Sequence, residues 1–309
     1  MDNRKILLVC FMFFNIGFLA EATDANEHNE PLPISNTEFV TLKENPLAKR
    51  LIGLIGQVGQ LNIDGLSQYA LFLKPEQGMP LTGWPIIIFN HGFHPEPFMN
   101  GRRSIDGVSD RPGDYYRQIP QSLARHGFLV VVPDYRGHND SEGAEFTLQE
   151  TSARWYARDV LGIVNALESI DNVDKRHLFM LGHSMGGQVT LRVAGLLGDK
   201  LSGASIWSTQ LPTETDIKDT GLIPIVSQLK LINSPLNIHH AQSDQTTLFG
   251  GSLTIATQLT QLSKPNNLYA YASDSHLFTD DNLRLAIDRD VTFFRHIMAF
   301  NNRGRQSPP

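Results

Sequence analysis

The sequence predicts an α/β fold in which a mostly parallel central sheet is covered by helices on both faces, and two patterns predict it. Short apolar runs alternate with longer stretches of helical period between residues 68 and 298, the order that successive βαβ units leave in a chain. Several runs are continuously apolar, such as Ile86-Ile87-Ile88-Phe89 and Leu129-Val130-Val131-Val132, as strands covered on both faces should be.

At the amino end, Arg4 and Lys5 precede an apolar run at 6–20, interrupted only by Asn15 and Gly17, and Ala20-Glu21-Ala22 follows. A basic end, a short apolar core and a small-x-small site make residues 1–22 a secretory signal peptide, with cleavage after Ala22. The run is shorter than the ~20 residues that span a bilayer, so no stable membrane span is expected after cleavage. The product is exported, periplasmic or secreted. Cys10, the one cysteine, lies inside the apolar core, so the mature chain has neither a disulfide nor a thiol nucleophile. Residues 23–45 are polar, hold Pro31 and Pro33, and read as an exposed leader. A single domain is expected over 46–300, followed by a flexible tail at 301–309.

Strands are placed at 68–73, 85–90, 129–133, 177–181, 203–207, 236–240 and 268–271. Pro120 suits the first turn of a helix that reaches Arg125 and stops at Gly127. From 152 to 170, Tyr156, Val160, Ile163, Leu167 and Ile170 recur at spacings of three and four, one apolar helix face against the sheet. A further helix is read at 188–197, and Leu283, Ile287, Val291, Phe294 and Met298 give the last helix its stripe.

Composition narrows the chemistry. Hydrophobic residues at 41% and charged residues at 19% are ordinary for a packed globular domain, and a net charge of -6 without a Lys/Arg cluster removes the footprint of a nucleic-acid binder. No phosphate loop, dinucleotide fingerprint or zinc-like His spacing occurs, so no cofactor and no metal are implied. The chemistry concentrates in Gly182-His183-Ser184-Met185-Gly186-Gly187, which sits between the strand ending at Leu181 and a helical stretch. That strand-turn-helix context makes it a nucleophile elbow: Ser184 takes strained backbone angles on a sharp turn, and Gly182 and Gly186 remove side chains that would collide there.

With Asn90-His91-Gly92-Phe93 after one strand, Asp134-Tyr135-Arg136-Gly137-His138 after the next and the elbow after the third, the segment from about Gln68 to Met298 resembles the α/β-hydrolase superfamily. The resemblance is nearest to its dienelactone-hydrolase-like and prolyl-oligopeptidase-like branches. It implies that the backbone N–H groups of Phe93 and Met185 form the oxyanion hole, where preoriented donors stabilise the charge of a tetrahedral intermediate. It also implies a general base after the last strand and an acid after the strand before it. His276, in Ala272-Ser273-Asp274-Ser275-His276, is the base; Asp244 is the leading acid, although Ala241 stands where the family usually has glycine. Asp274, Asp216 and Asp219 are its rivals. His239 and His240, at a strand end, read as packed and satisfied, and Asp134, Arg136 and the stretch 140–143 as turn-shaping.

The resulting expectation is a serine hydrolase that takes a small ester through an acyl-enzyme on Ser184. Two alternatives stand beside it: a peptidase of the prolyl-oligopeptidase type acting on a peptide substrate, and a catalytically silent binding protein, since fold alone never establishes activity. Leu222, Ile223, Ile225, Val226, Leu229 and Leu231 mark an insertion at 208–233, after the sixth strand of the family's order, which is either a small apolar cap or an ordinary connecting helix.

Overall fold

The structure is a computed structural model that describes residues 37–44, 51–99, 116–147, 152–209 and 228–303. Within them one sheet of nine strands organises the chain: β1 (Thr37–Glu44), β2 (Leu54–Ile63), β3 (Leu66–Pro75), β4 (Trp84–Asn90), β5 (Leu129–Asp134), β6 (Val173–His183), β7 (Gly203–Trp207), β8 (Leu236–Ala241) and β9 (Asn266–Tyr271). Their spatial order is β1-β2-β3-β5-β4-β6-β7-β8-β9. β1, β2, β3 and β5 pair antiparallel in turn, whereas every pair from β5 to β9 is parallel. The helices are α1 (Gln118–Arg125), α2 (Ser152–Leu167), α3 (Met185–Leu197), α4 (Phe249–Gln261) and α5 (Asp280–Arg303).

The two-residue period of a strand sorts the apolar runs into two cores. Ile86, Ile88, Leu129, Val131, Met180, Ile206 and Ile238 face one side and pack with α2, α3 and α4. Ile87, Phe89, Val130, Val132, Phe179 and Leu181 face the other, against Ile119 and Leu123 of α1 and Leu283, Ile287, Val291 and Phe294 of α5. A fully apolar run is thus required wherever helices cover both faces.

All seven expected strands form, most with longer bounds, and two more stand outside them. β2 and β3 make a hairpin whose turn, Asp64 and Gly65, has positive φ at both residues, the geometry that Asp-Gly favours. The segment expected as an exposed leader instead contributes β1, because β2 without it would leave a row of unpaired backbone groups. α4 was also missed: Gly250, Gly251 and three threonines weaken its intrinsic helix preference, yet Ile255, Ala256 and Leu259 bury one face. At the opposite edge, β9 is six residues long and partly exposed, and the Arg289 guanidinium lies 4.5 Å over Tyr269 and 5.3 Å over Tyr271. The expected signal peptide, most of the 208–233 insertion, Asp216 and Asp219 lie outside the described residues. No helix among the described residues is long and apolar enough to cross a membrane.

A polar clip crosses the second core. Asp290 of α5 is fully buried and accepts hydrogen bonds from Ser205 Oγ (2.8 Å) and Trp207 Nε1 (2.8 Å) on β7 and from Asn237 Nδ2 (2.9 Å) on β8. His239 Nε2 is 3.0 Å from the same carboxylate. One carboxylate therefore fixes α5 against the two strands that precede residues 208 and 244. Asp290→Leu is expected to lower stability by about 2–5 kcal/mol, since it orphans several buried donors at once. Chemical denaturation with an unchanged midpoint would refute it.

Candidate active site

The strand order reverses around β4: the chain runs from β4 out to β5 and returns past it to β6, so the carboxyl ends of β4 and β6 flank a crevice. Open α/β sheets bind ligands at such a switch point. Asn90 pairs with Gly182 at its lip, which brings the His91-Gly92-Phe93 loop alongside the turn at Ser184.

Ser184 caps α3 with φ 55 and ψ -119, a conformation costly for any residue with a side chain. Its N–H donates to Trp207 O at 2.9 Å, and Gly187 N–H donates to Ser184 O at 3.0 Å. Glycines make the turn possible: a Cβ on Gly186 would lie 2.0 Å from Asn90 O, and one on Gly182 2.3 Å from Gly186 O. Thr190 Oγ1 donates to Gly186 O (2.9 Å) and accepts from Asn90 Nδ2 (2.8 Å), joining α3 to β4 across the turn. Met185 is the first residue of α3, so its N–H has no intrahelical acceptor and points out of the positive end of the helix dipole. Phe93 follows the glycine that faces this turn, and its ring is exposed.

His276 and Asp244, 32 residues apart, meet: His276 Nδ1 donates to Asp244 Oδ2 at 2.8 Å, with the imidazole partly exposed and the carboxylate fully buried. Asp244 Oδ1 accepts from the backbone N–H groups of Thr246 (2.8 Å) and Thr247 (3.1 Å), and Oδ2 accepts from Thr247 Oγ1 (2.9 Å). Burial alone would raise its pKa, but the hydrogen bonds from His240, His276 and the Thr247 backbone outweigh it and hold the carboxyl well below the usual carboxylate range. The carboxylate is thereby kept charged beside an imidazole that it can orient.

Of the rival acids, Asp274 is exposed on the β9 loop while Asp244 occupies the position beside His276. His239 and His240 are packed and hydrogen-bonded, as expected of them: His239 Nδ1 lies 2.7 Å from Tyr271 Oη, and His240 Nδ1 2.7 Å from Ser252 Oγ. Arg136 forms a buried pair with Asp159 and Asn139 donates to Asp134 Oδ1, so that loop is a scaffold. Sequence reasoning missed Thr247, whose hydroxyl touches the Asp244 carboxylate and lies 3.3 Å from His276 Nδ1, and it missed His183. The His183 ring packs against that of His276 at 4.7 Å between centroids, one residue before Ser184, which places the imidazole of His276 next to the elbow. No group of three or more His, Cys, Asp or Glu side chains among the described residues is arranged to hold a metal ion.

Comparison with known proteins gives the arrangement a context. Residues 106–241 match the family described as serine aminopeptidase, S33. The chain is 32% identical over 99 residues to monoglyceride lipase of Rattus norvegicus, a match that covers 31% of each protein. It is 25% identical over 178 residues to the uncharacterized peptidase YtmA of Bacillus subtilis, covering 50% of this chain and 67% of that one. The matched segment thus spans about a third of the lipase. Among solved structures, Est1E from Butyrivibrio proteoclasticus, with ferulic acid bound, superposes with a TM-score of 0.60 at 18% identity, covering 76% of this chain and 97% of that one.

Three buried histidines surround the crevice, and burial is the first cause that pushes each below the ordinary imidazole range: His183 to about 3, His91 to about 4, and His138 well below. A histidine that resists protonation in the fold but accepts it when unfolded withdraws stability as pH falls from about 6.5 toward its folded value. Asp244, with a depressed pKa, loses its contribution only below the carboxylate range and so leaves that window untouched. Thermal unfolding is expected to show a marked drop in midpoint between pH 7 and pH 5, with each of these histidines contributing about 1–2 kcal/mol at pH 5. An equal midpoint at the two pH values would mean that the imidazoles take up protons as readily in the fold as in the unfolded chain.

Proposed function

We propose that this chain, which belongs to the α/β-hydrolase superfamily, is a serine hydrolase that cleaves carboxylic esters through an acyl-enzyme on Ser184. The observation that carries the reading is the 2.8 Å hydrogen bond from His276 Nδ1 to the buried Asp244, made beside a serine held at φ 55 on a strand-to-helix turn. With Nδ1 committed to Asp244, His276 presents Nε2 as a base. It takes the proton of Ser184 Oγ as that oxygen attacks the ester carbonyl, and the carbonyl electrons move onto an oxygen held by the N–H groups of Phe93 and Met185. Collapse expels the alcohol, which receives the proton from His276. Water then attacks the acyl-enzyme with His276 again as base, releasing the acid and restoring Ser184. Export after loss of residues 1–22 belongs to the same reading.

A peptidase is the second reading, favoured by the match to a family described as serine aminopeptidase, because the same arrangement cleaves amides. A silent binding protein is the third. A fluorophosphonate probe should label the wild-type chain and leave Ser184→Ala unlabelled but folded, and p-nitrophenyl esters should turn over faster than aminoacyl anilides. Activity above a few per cent in Ser184→Ala would remove the nucleophile; faster anilide turnover would select the peptidase.

The acid is tested separately. Asp244→Asn is expected to lower kcat by about 10⁴-fold with little change in KM, because an amide favours the wrong imidazole tautomer, while Asp274→Asn costs little. Steady-state kinetics with the opposite order would transfer the role to Asp274.

A further inference from the structure

Gly92, Tyr116 and His183 form a hydrogen-bonded chain that none of the steps above uses. Gly92 N–H donates to Tyr116 Oη at 2.8 Å, Tyr116 Oη lies 2.6 Å from His183 Nδ1, and His183 Nε2 lies 2.9 Å from the backbone oxygen of His276. All three side-chain and backbone partners at the first two links are buried. The ends of the chain settle its polarity. A carbonyl oxygen accepts, so His183 Nε2 carries a proton; on a neutral ring Nδ1 is then an acceptor, and Tyr116 must donate its hydroxyl proton to it. The same hydroxyl oxygen accepts from Gly92. Every donor and acceptor along the path has one possible role, and protonating His183 would break the middle link. Burial, with the charge of His276 second, opposes that protonation.

From this geometry we infer that Tyr116 and His183 are positioning residues that hold the oxyanion loop, the nucleophile turn and the base loop in one register. The inference rests on the reading of Ser184 as nucleophile, with Phe93 N–H as an oxyanion donor. Phe93 immediately follows Gly92, His183 immediately precedes Ser184, and the third contact is the backbone of His276 itself. Three loops separated by long stretches of sequence are thus joined through two side chains. The glycine is part of the device: a Cβ at position 92 would lie 2.4 Å from Tyr116 Oη, so any other residue there displaces the hydroxyl. His183 also fills the space beside the base, its ring 5.5 Å from Tyr116 and 4.7 Å from His276 between centroids. A residue chosen only to fill that space needs no polar atoms; here both ring nitrogens are engaged.

The test compares full-length wild type with Tyr116→Phe, which keeps the ring and its packing and removes only the shared hydroxyl. The expected result is a loss of about 10- to 100-fold in kcat and in the rate of fluorophosphonate labelling, with KM within about twofold. The unfolding midpoint falls, because Gly92 N–H and His183 Nδ1 lose their buried partner, but the variant stays folded under assay conditions. The split between kcat and KM separates positioning from general loosening, which would raise KM as well. Unchanged kcat and labelling rate, or a rise in KM alone, would overturn the inference. Imidazole ¹⁵N spectra of the wild type supply a second reading that needs no variant to fold: His183 should be the Nε2–H tautomer and remain so at pH 5. A proton on Nδ1 would overturn the chain's polarity and the inference with it. If the wild type neither labels nor hydrolyses esters while His183 keeps that tautomer, the proposed activity fails and the tie between the loops stands.

Discussion

The candidate site depends on how closely the backbone of β4 approaches the turn after β6. That distance is set by the absence of side chains: Asn90 O and His91 O occupy the places where a Cβ of Gly186 would be, at 2.0 and 2.5 Å. Close approach lets Asn90 and Thr190 bond across the gap and holds Ser184 in a backbone conformation it would not keep alone. The strain at one residue is carried by two parallel strands buried on both faces, elements that deform little. Loosening the glycine contact would relax the serine and move the loop that carries Phe93 in the same motion.

Charge at the site follows a single rule. One carboxylate, Asp244, is buried with enough donors to remain ionised, and burial holds His183, packed against the ring of His276, in its neutral form. A negative charge is thus available on one side of His276 without a competing positive charge on the other. When the imidazole of His276 takes a proton, its nearest aromatic neighbour, His183, is a ring that resists doing the same. Preorganised surroundings of this kind need little rearrangement as charge develops.

How much of this was legible follows from where each signal resides. Strands buried on both faces announce themselves as unbroken apolar runs, so β4, β5 and β6 were found, whereas β2, with three exposed or half-buried positions among its first five and glycines at 56 and 59, was not. Ser184, His276 and Asp244 were located by their places relative to strand ends and by the superfamily's motifs, and the structure brings His276 and Asp244 into contact. Tyr116 could not be read in the same way, because its partner lies 67 residues away and nothing local distinguishes it from Tyr115 beside it. Thr247 is similar: its role comes from facing both Asp244 and His276, a property of the folded loop. The Asp64-Gly65 turn was legible in principle, since that dipeptide carries its own backbone preference.

The two margins of the sheet are finished in different ways. On one side an added strand, β1, whose sequence includes Glu38, Lys43 and Glu44, pairs along the hairpin with a register shift between Phe39 and Thr41. On the other, β9 stops after six residues, and a guanidinium rests on its two tyrosines. A long, flat, uncharged border invites a second chain to continue the ladder, and neither margin offers one. A chain so finished resists growth of its sheet into fibres, and its stability against self-assembly is written at its periphery.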